Sequence, residues 1–254
     1  MKVTHRNFLE SIHSVGAVKK EGYKVLQSYI RFAKAIGALT YQSVYLIDYF
    51  KKAFLYVSNN PIFLCGNTPE EVVRSGYEHY LKNVPDKDLK MLLKINEASF
   101  SFYKELPASD RLKYIISYNF HLKQPGGGLP ILVNHKLKPL NLDENSNPWI
   151  ALCTVSLSSR KESGHVYALS DELEKYFLLD LKKNVWEPIS WINLNDREKE
   201  ILRYSIQGYL IAQIANKLRV SIDTIKFHRK SIYSKLGTKN ITEAAAVAMD
   251  LSLI

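Results

Sequence analysis

Residues 191–254 carry helix starts and stops at such regular intervals that a row of short helices is the expectation. In "INLNDREKEILRYSIQG", Asn195 is a good N-cap and Glu198 sits three residues later, as in a capping box. Ile201, Leu202, Tyr204 and Ser205 set the inner side of this helix, and Gly208 ends it. "LIAQIANKLR" predicts a second, shorter helix with Ile211, Ile214, Ala215 and Leu218 inward, and Arg219 and Val220 form the turn after it. Ser221 caps a third helix, Asp223 in its first turn favours the positive end of the helix dipole, and Gly237 stops it. "NITEAAAVAMDLSL" predicts a fourth, with Ala244, Ala245, Val247, Ala248 and Leu251 as a small-residue face.

Turning the third helix at about 100° per residue separates its side chains by chemistry. Ile225, Ile232 and Leu236 fall together and must be core. Asp223, Lys226, Phe227, Lys230 and Ser234 fall opposite, with Thr224, His228, Ser231 and Lys235 along one flank and Arg229 and Tyr233 along the other. A short helix, a tight turn and a helix with a basic outer face is the helix-turn-helix arrangement. Such a helix fits the DNA major groove, where lysine donates to guanine O6 and N7 and a ring touches a thymine methyl. Hydroxyls and cations on the flank would meet phosphates and fix the register.

Charge supports that reading. The 254-residue chain has a formal net charge of +10, which favours a polyanionic partner. From Lys217 to Lys239 there are seven basic residues and one acid, Asp223. A solvated surface explains two lysines, but not that concentration on a capped helix. With 46% hydrophobic and 24% charged residues the composition is ordinarily globular, and the length suits two domains. Two distant cysteines, Cys65 and Cys153, fit a reduced compartment. No signal peptide core or long apolar run occurs, so a cytoplasmic protein without a transmembrane segment is expected.

The front of the chain has a different rhythm. Residues 5–40 read as helical, with Val25, Leu26, Tyr29, Ile30, Phe32, Ala33 and Ile36 on a broad apolar stripe and Gly37 as a stop. This basic amphipathic segment could lie on a membrane, but packing on its own domain or on a second copy is the simpler expectation. "QSVYLIDYF" and "AFLYVSN" predict two strands joined by a turn at 48–52. Thr68 caps a helix with Pro69 in its first position. A long helix starts at 85–88, carries Leu89, Leu92, Leu93, Ile95 and Phe100 on one side, and ends before Pro107. Three strands follow, in "LKYIISYNFHL", "PILVNHKLKPL" and "PWIALCTVSLS", the first two joined through "QPGGG" as a loose hairpin. Residues 165–190 predict either one strand, at Tyr176–Leu181, or a connecting helix.

Two strands, short helices, one long helix and three strands, together with "GNTPEEVVRSGYEHYLKNVPDKD", resemble a PAS domain, a small five-stranded antiparallel sensor fold. The resemblance implies a sensor or dimerisation domain at 41–164, after an N-terminal helical segment at 1–40 and before a connecting segment at 165–190. The fold class is then α+β: a PAS-like antiparallel sheet domain followed by an all-α four-helix domain at 191–254.

That last domain resembles the LuxR-type helix-turn-helix of bacterial transcription regulators through "LNDREKEIL", Gly208 and "IAQIANKLRVSIDTIKFHRKSIYSKLGTKNITEA". The resemblance implies base contacts from Lys226, Phe227 and Lys230, and phosphate contacts from Ser221, Thr224, His228 and Lys235. It also makes the fourth helix a dimer contact through Ala244, Ala245, Val247, Ala248 and Leu251. Double-stranded DNA, a homodimer and RNA polymerase are the partners implied. Three positions depart from the family's pattern: Leu210 replaces a capping Ser or Thr, Ala212 a basic residue, and Ile241 an Arg. A lost cap costs about 1 kcal/mol, and a lost phosphate contact flattens the salt dependence of binding.

No catalytic constellation is present in the sequence, neither H-E-x-x-H nor G-x-S-x-G, and "PGGG" lacks the context of a phosphate loop. A non-enzymatic regulator is expected. No cofactor is predicted, and the PAS-like domain's small-molecule ligand is unknown. His79, His121 and His135 are haem-ligand candidates only in the weakest sense, and Cys65 does not sit in the flavin-reactive PAS motif. The alternative is a PAS-like domain that binds no ligand and only dimerises or docks a protein, which a core filled by large aromatics would favour.

Overall fold

The computed structural model describes residues 20–170, 172–190, 192–251 and 253–254, together with positions 3, 4, 7, 10 and 18. The helix expected over residues 5–19 lies mostly outside the described residues. The chain divides into two compact units, Met1–Ile189 and Ser190–Ile254.

In the first unit a 3₁₀ turn, Lys20–Val25, runs into helix α1, Leu26–Leu39. Strands β1 (Ser43–Asp48) and β2 (Ala53–Val57) follow, then short helices α2 (Pro61–Leu64), α3 (Pro69–Ser75) and α4 (Glu78–Asn83), and the long helix α5 (Asp86–Glu105). Strands β3 (Ile115–Leu122), β4 (Ile131–Leu142) and β5 (Pro148–Leu157) complete the expected five. They pair antiparallel in the order β2-β1-β5-β4-β3, and the Pro125–Gly127 turn joins β3 to β4. Thr68 caps α3 with a full capping box to Glu71.

Three differences from expectation have physical causes. Residues 165–190 contain the expected strand at Tyr176–Leu181, but as one of three, and no helix among the described residues. They form β6 (Gly164–Ser170), β7 (Lys175–Asp180) and β8 (Val185–Pro188), which extend the sheet beyond β3 to eight strands. The free edge of β3 supplies the pairing that local sequence does not announce. Gly37 does not stop α1. A Cβ there would lie 3.1 Å from Ser58 Cβ, so the glycine lets the helix approach the sheet and continue to Leu39. Phe32, placed on the inner stripe, is 58% exposed, and it is Ala33 that is buried.

Strand β1 is buried at every position because both sheet faces are covered. Val44 and Leu46 meet α1 at Ala33. Tyr45 and Ile47 point the other way, into the main core against Phe63, Tyr80, Leu92 and Ile95. The N-terminal segment is pinned by Asp48, a fully buried carboxylate that accepts from Trp149 Nε1 at 3.0 Å and Tyr23 OH at 3.1 Å.

The second unit holds α6 (Asp196–Ile206), α7 (Ile211–Leu218), α8 (Ile222–Leu236) and α9 (Ile241–Asp250). Ile201, Leu202, Ile214, Ile225, Ile232 and Leu236 form its buried centre. Among the described residues no helix is long and apolar enough to cross a membrane.

Candidate nucleic-acid interface and sensor cavity

Helix α8 is fixed at both ends. Ser221 Oγ accepts from Thr224 N–H at 3.1 Å, and Gly237 closes the helix in the left-handed region, at φ 63°. The turn before it is made possible by Arg219, also left-handed at φ 53°, whose N–H bonds back to α7. With Ile225, Ile232 and Leu236 buried, the helix cannot rotate, and its opposite face is committed to solvent.

That face carries Lys226, Phe227 and Lys230, all exposed, with Phe227 at 70%. A phenylalanine so exposed on a rigid helix is available as a contact element. Lys226 Nζ lies 3.0 Å from Asp223 Oδ1, an exposed i,i+3 pair that costs little to open. Ser221 and Thr224 share a 2.8 Å hydroxyl contact at the start of the helix, and His228 is half-buried, with its ring edge-on to Phe227.

Lys235 is differently placed. Its ammonium donates to Glu198 Oε2 at 2.7 Å and to the Asn193 carbonyl at 3.0 Å. Ser231 Oγ donates to the other carboxylate oxygen at 2.7 Å, and Asn195 N–H donates to Oε2 at 2.9 Å. Burial alone would raise the Glu198 carboxyl. The bonds from Lys235, Ser231 and Asn195 outweigh it and hold the carboxyl below the usual range. Lys235 therefore clamps α8 to α6, and its charge is already engaged.

The small-residue face of α9 requires a correction as a dimer contact. Ala244, Ala245, Val247, Ala248 and Leu251 are all buried within this unit. Side chains inside their own domain present nothing to a second copy. The outer side of α9 instead shows Thr242 and Met249, flanked by half-buried Ile241 and Ala246.

The departures at the second helix are partly compensated. Leu210 offers no side-chain acceptor, yet Gln213 Oε1 accepts the Leu210 N–H at 2.8 Å, so half of a capping box survives. Ala212 is exposed. Lys217 Nζ sits over two rings, 4.7 Å from that of Tyr209 and 5.6 Å from that of Tyr204.

In the first unit, two cavities open between the sheet and α5. They are small, about 30 and 20 Å³, and both are lined by Tyr49, Asn96, Tyr118 and Leu137. Around them the core is densely aromatic: Tyr45 stacks on Phe63 at 4.6 Å and meets Phe54 edge-on at 5.3 Å. Tyr45 OH contacts both Tyr80 OH and His135 Nε2 at 2.5 Å. Desolvation pushes His135 down to about 3 and raises Tyr45, Tyr80 and Tyr118 well above the ordinary phenol value. The other two histidines are structural. His79 uses Nε2 on the Phe63 carbonyl and Nδ1 on Asn83 Nδ2, and His121 Nδ1 bonds Asp88 at 2.7 Å. His135 Nδ1 and Ser99 Oγ are buried with no hydrogen-bond partner among the described residues.

Sequence reasoning missed Glu198 as the clamp of Lys235, because a capping box explained it fully at the local level. It also missed Asn96 and Ser99. Their signal was readable: two polar side chains at helical spacing within the apolar stripe that runs from Leu89 through Leu92 to Tyr103.

A capped helix seated on its neighbour across a left-handed turn, with a basic and aromatic outer face, defines the second unit as a helix-turn-helix domain. Residues 193–248 match the family described as "Bacterial regulatory proteins, luxR family". That match lies within the C-terminal unit. Regulatory protein SdiA of Escherichia coli (strain K12) is 32% identical over 108 residues, which is 38% of this chain and 44% of SdiA. The matched region thus spans less than half of that relative. Transcriptional activator protein EchR of Dickeya chrysanthemi is 26% identical over 252 residues, with 90% of each chain covered. Among solved structures, the phage VqmA–DPO complex is similar at 18% identity and a TM-score of 0.32, covering 91% of this chain and 90% of that one.

Proposed function

We propose that this chain is a sequence-specific regulator of bacterial transcription that binds double-stranded DNA as a homodimer in the cytoplasm. Lys226, Phe227 and Lys230 read bases, and Ser221, Thr224 and His228 meet phosphates. The observation that carries this reading is the outward, exposed set of Lys226, Phe227 and Lys230 on a helix locked by its buried opposite face. Two copies double the contacts on a two-fold site, and the second copy meets the outer side of α9 or the first unit. The bound dimer acts on RNA polymerase and has no catalytic role. The PAS-like unit controls how the two DNA-binding units are held.

A DNA selection on the full chain beside the Lys226→Ala/Lys230→Ala double variant, at two salt concentrations, tests it. The expected result is a two-fold motif that the double variant loses, since each good base contact is worth about 1–3 kcal/mol. Salt-sensitive, sequence-blind binding by both proteins would overturn it. A second reading, in which the PAS-like unit only dimerises or docks a protein, draws on the dense packing of Tyr45, Phe54, Phe63 and Tyr80 in its core.

A further inference from the structure

We propose that Asp223 is a specificity-determining residue: together with Lys226 it reads one G·C pair, with the ammonium on guanine and the carboxylate on cytosine. The inference rests on the DNA reading above and deepens it. Three observations carry it. First, Asp223 stands in the first turn of α8 with its side chain 87% exposed, and Lys226 follows three residues later on the same outer face at 58%. In a helix-turn-helix the N-terminal residues of the groove-bound helix are the ones that contact base edges. Second, Asp223 is the one acid beside seven basic residues between Lys217 and Lys239. A carboxylate carried into the field of the phosphates is repelled unless a donor meets it. The donors that base pairs offer in the major groove are cytosine N4–H and adenine N6–H. Third, Asp223 Oδ1 and Lys226 Nζ lie 3.0 Å apart.

That separation matches the base pair. In a G·C pair a hydrogen bond of about 2.9 Å joins cytosine N4 to guanine O6, so an acceptor and a donor sit side by side on the major-groove edge. The ion pair presents the complementary order, a donor beside an acceptor, at the same spacing. Lys226 takes O6 and N7, and the carboxylate has lone pairs enough to accept from N4 while it keeps Lys226. An A·T pair also sets an acceptor, thymine O4, beside a donor, adenine N6–H. There the ammonium meets a single acceptor flanked by a methyl group, whereas guanine offers it two. Asp223 also favours the positive end of the α8 dipole. That role is blind to DNA sequence, and Ser221 already caps the helix through Thr224 N–H.

The test starts from the DNA motif that the full chain selects. In synthetic duplexes each cytosine of a half-site is replaced in turn by N4-methylcytosine. This base keeps the Watson–Crick N–H and puts a methyl group where the outward N4–H stood. Fluorescence anisotropy then gives the affinity of the parent and of Asp223→Ala for each duplex and for unrelated DNA. At one cytosine per half-site the methyl group is expected to weaken the parent by about fivefold or more and Asp223→Ala by less than about twofold. Asp223→Ala should bind unrelated DNA at least as tightly as the parent, because a charge of the same sign as the phosphates is gone. The proposal is overturned if no methylated cytosine weakens the parent, if the methyl group costs both proteins alike, or if Asp223→Ala loses the same factor on the motif and on unrelated DNA. Any of these beside a motif that the Lys226→Ala/Lys230→Ala variant loses sinks this inference alone. A parent that selects no motif sinks it together with the DNA reading.

Discussion

Lys235 of α8 and Glu198 of α6 form a 2.7 Å ion pair whose carboxylate is 1% exposed and whose ammonium is 37% exposed. The same carboxylate completes the capping box that starts α6. One side chain thus begins a helix and locks α8 onto it. Removing the lysine leaves a buried carboxylate with only Ser231 and the Asn195 N–H. Lys235→Met should cost the C-terminal unit about 2–3 kcal/mol, at the lower end for a buried pair because solvent screens the ammonium. Glu198→Gln keeps neutral hydrogen bonds and should cost less, about 1–2 kcal/mol. Urea unfolding of both variants and the double variant gives the coupling directly. The salt slope of DNA binding should stay unchanged in Lys235→Met, because this lysine's charge is already engaged by Glu198.

The pair also sets a pH dependence. Glu198 is held below the usual carboxylate range in the folded unit, so folding favours its ionised form. Its contribution is fully present above the carboxyl value of the unfolded chain, about 4.3, and is lost as pH falls through the lowered folded value. Unfolding free energies of the parent and Glu198→Gln, measured from pH 7 downward, should differ at neutral pH and converge in acid. A gap that stays constant to the lowest pH would show that Glu198 acts through packing alone.

Helix α7 starts without a cap of its own, and Leu210 stands there exposed with cap-compatible backbone, at φ −72° and ψ 157°. Leu210→Ser should add the missing acceptor for the first turn while Gln213 continues to accept the Leu210 N–H. A gain of about 1 kcal/mol is expected in chemical unfolding. Equal or lower stability would mean that the Leu210 side chain contributes more than its exposure indicates.

These cases show what local sequence can and cannot carry. The helices of the second unit were legible because their limits are written in neighbouring residues: Asn195 with Glu198, Ser221 with Thr224, and Gly237 at a positive φ. Strands β6 and β8 were not, and β7 only as one of two alternatives, since "SDELEKYFLLDLKKN" suits a helix until β3 offers an edge to pair with. Gly37 looked like a stop because its reason for being glycine, the closeness of Ser58, lies in another element. The inward alanines of α9 were assigned outward because small residues permit close helix packing equally against a second copy and against α6 and α8. The candidate base-reading face was readable as a helical projection, while the cavity atoms needed the tertiary fold.

The last strand of the sheet is tied to α5 through Trp186. Trp186 of β8 donates its Nε1–H to the Ala98 carbonyl at 3.1 Å and rests its ring 5.0 Å from that of Phe102. Ala98 adjoins Ser99 on α5, and β8 ends at Pro188, just before the second unit begins at Ser190. Trp186→Phe retains the ring contact and deletes the hydrogen bond, at a cost of about 1 kcal/mol. Urea unfolding of the full chain beside this variant checks that cost; an unchanged stability of the first unit would show that the ring contact with Phe102 alone holds β8 against α5.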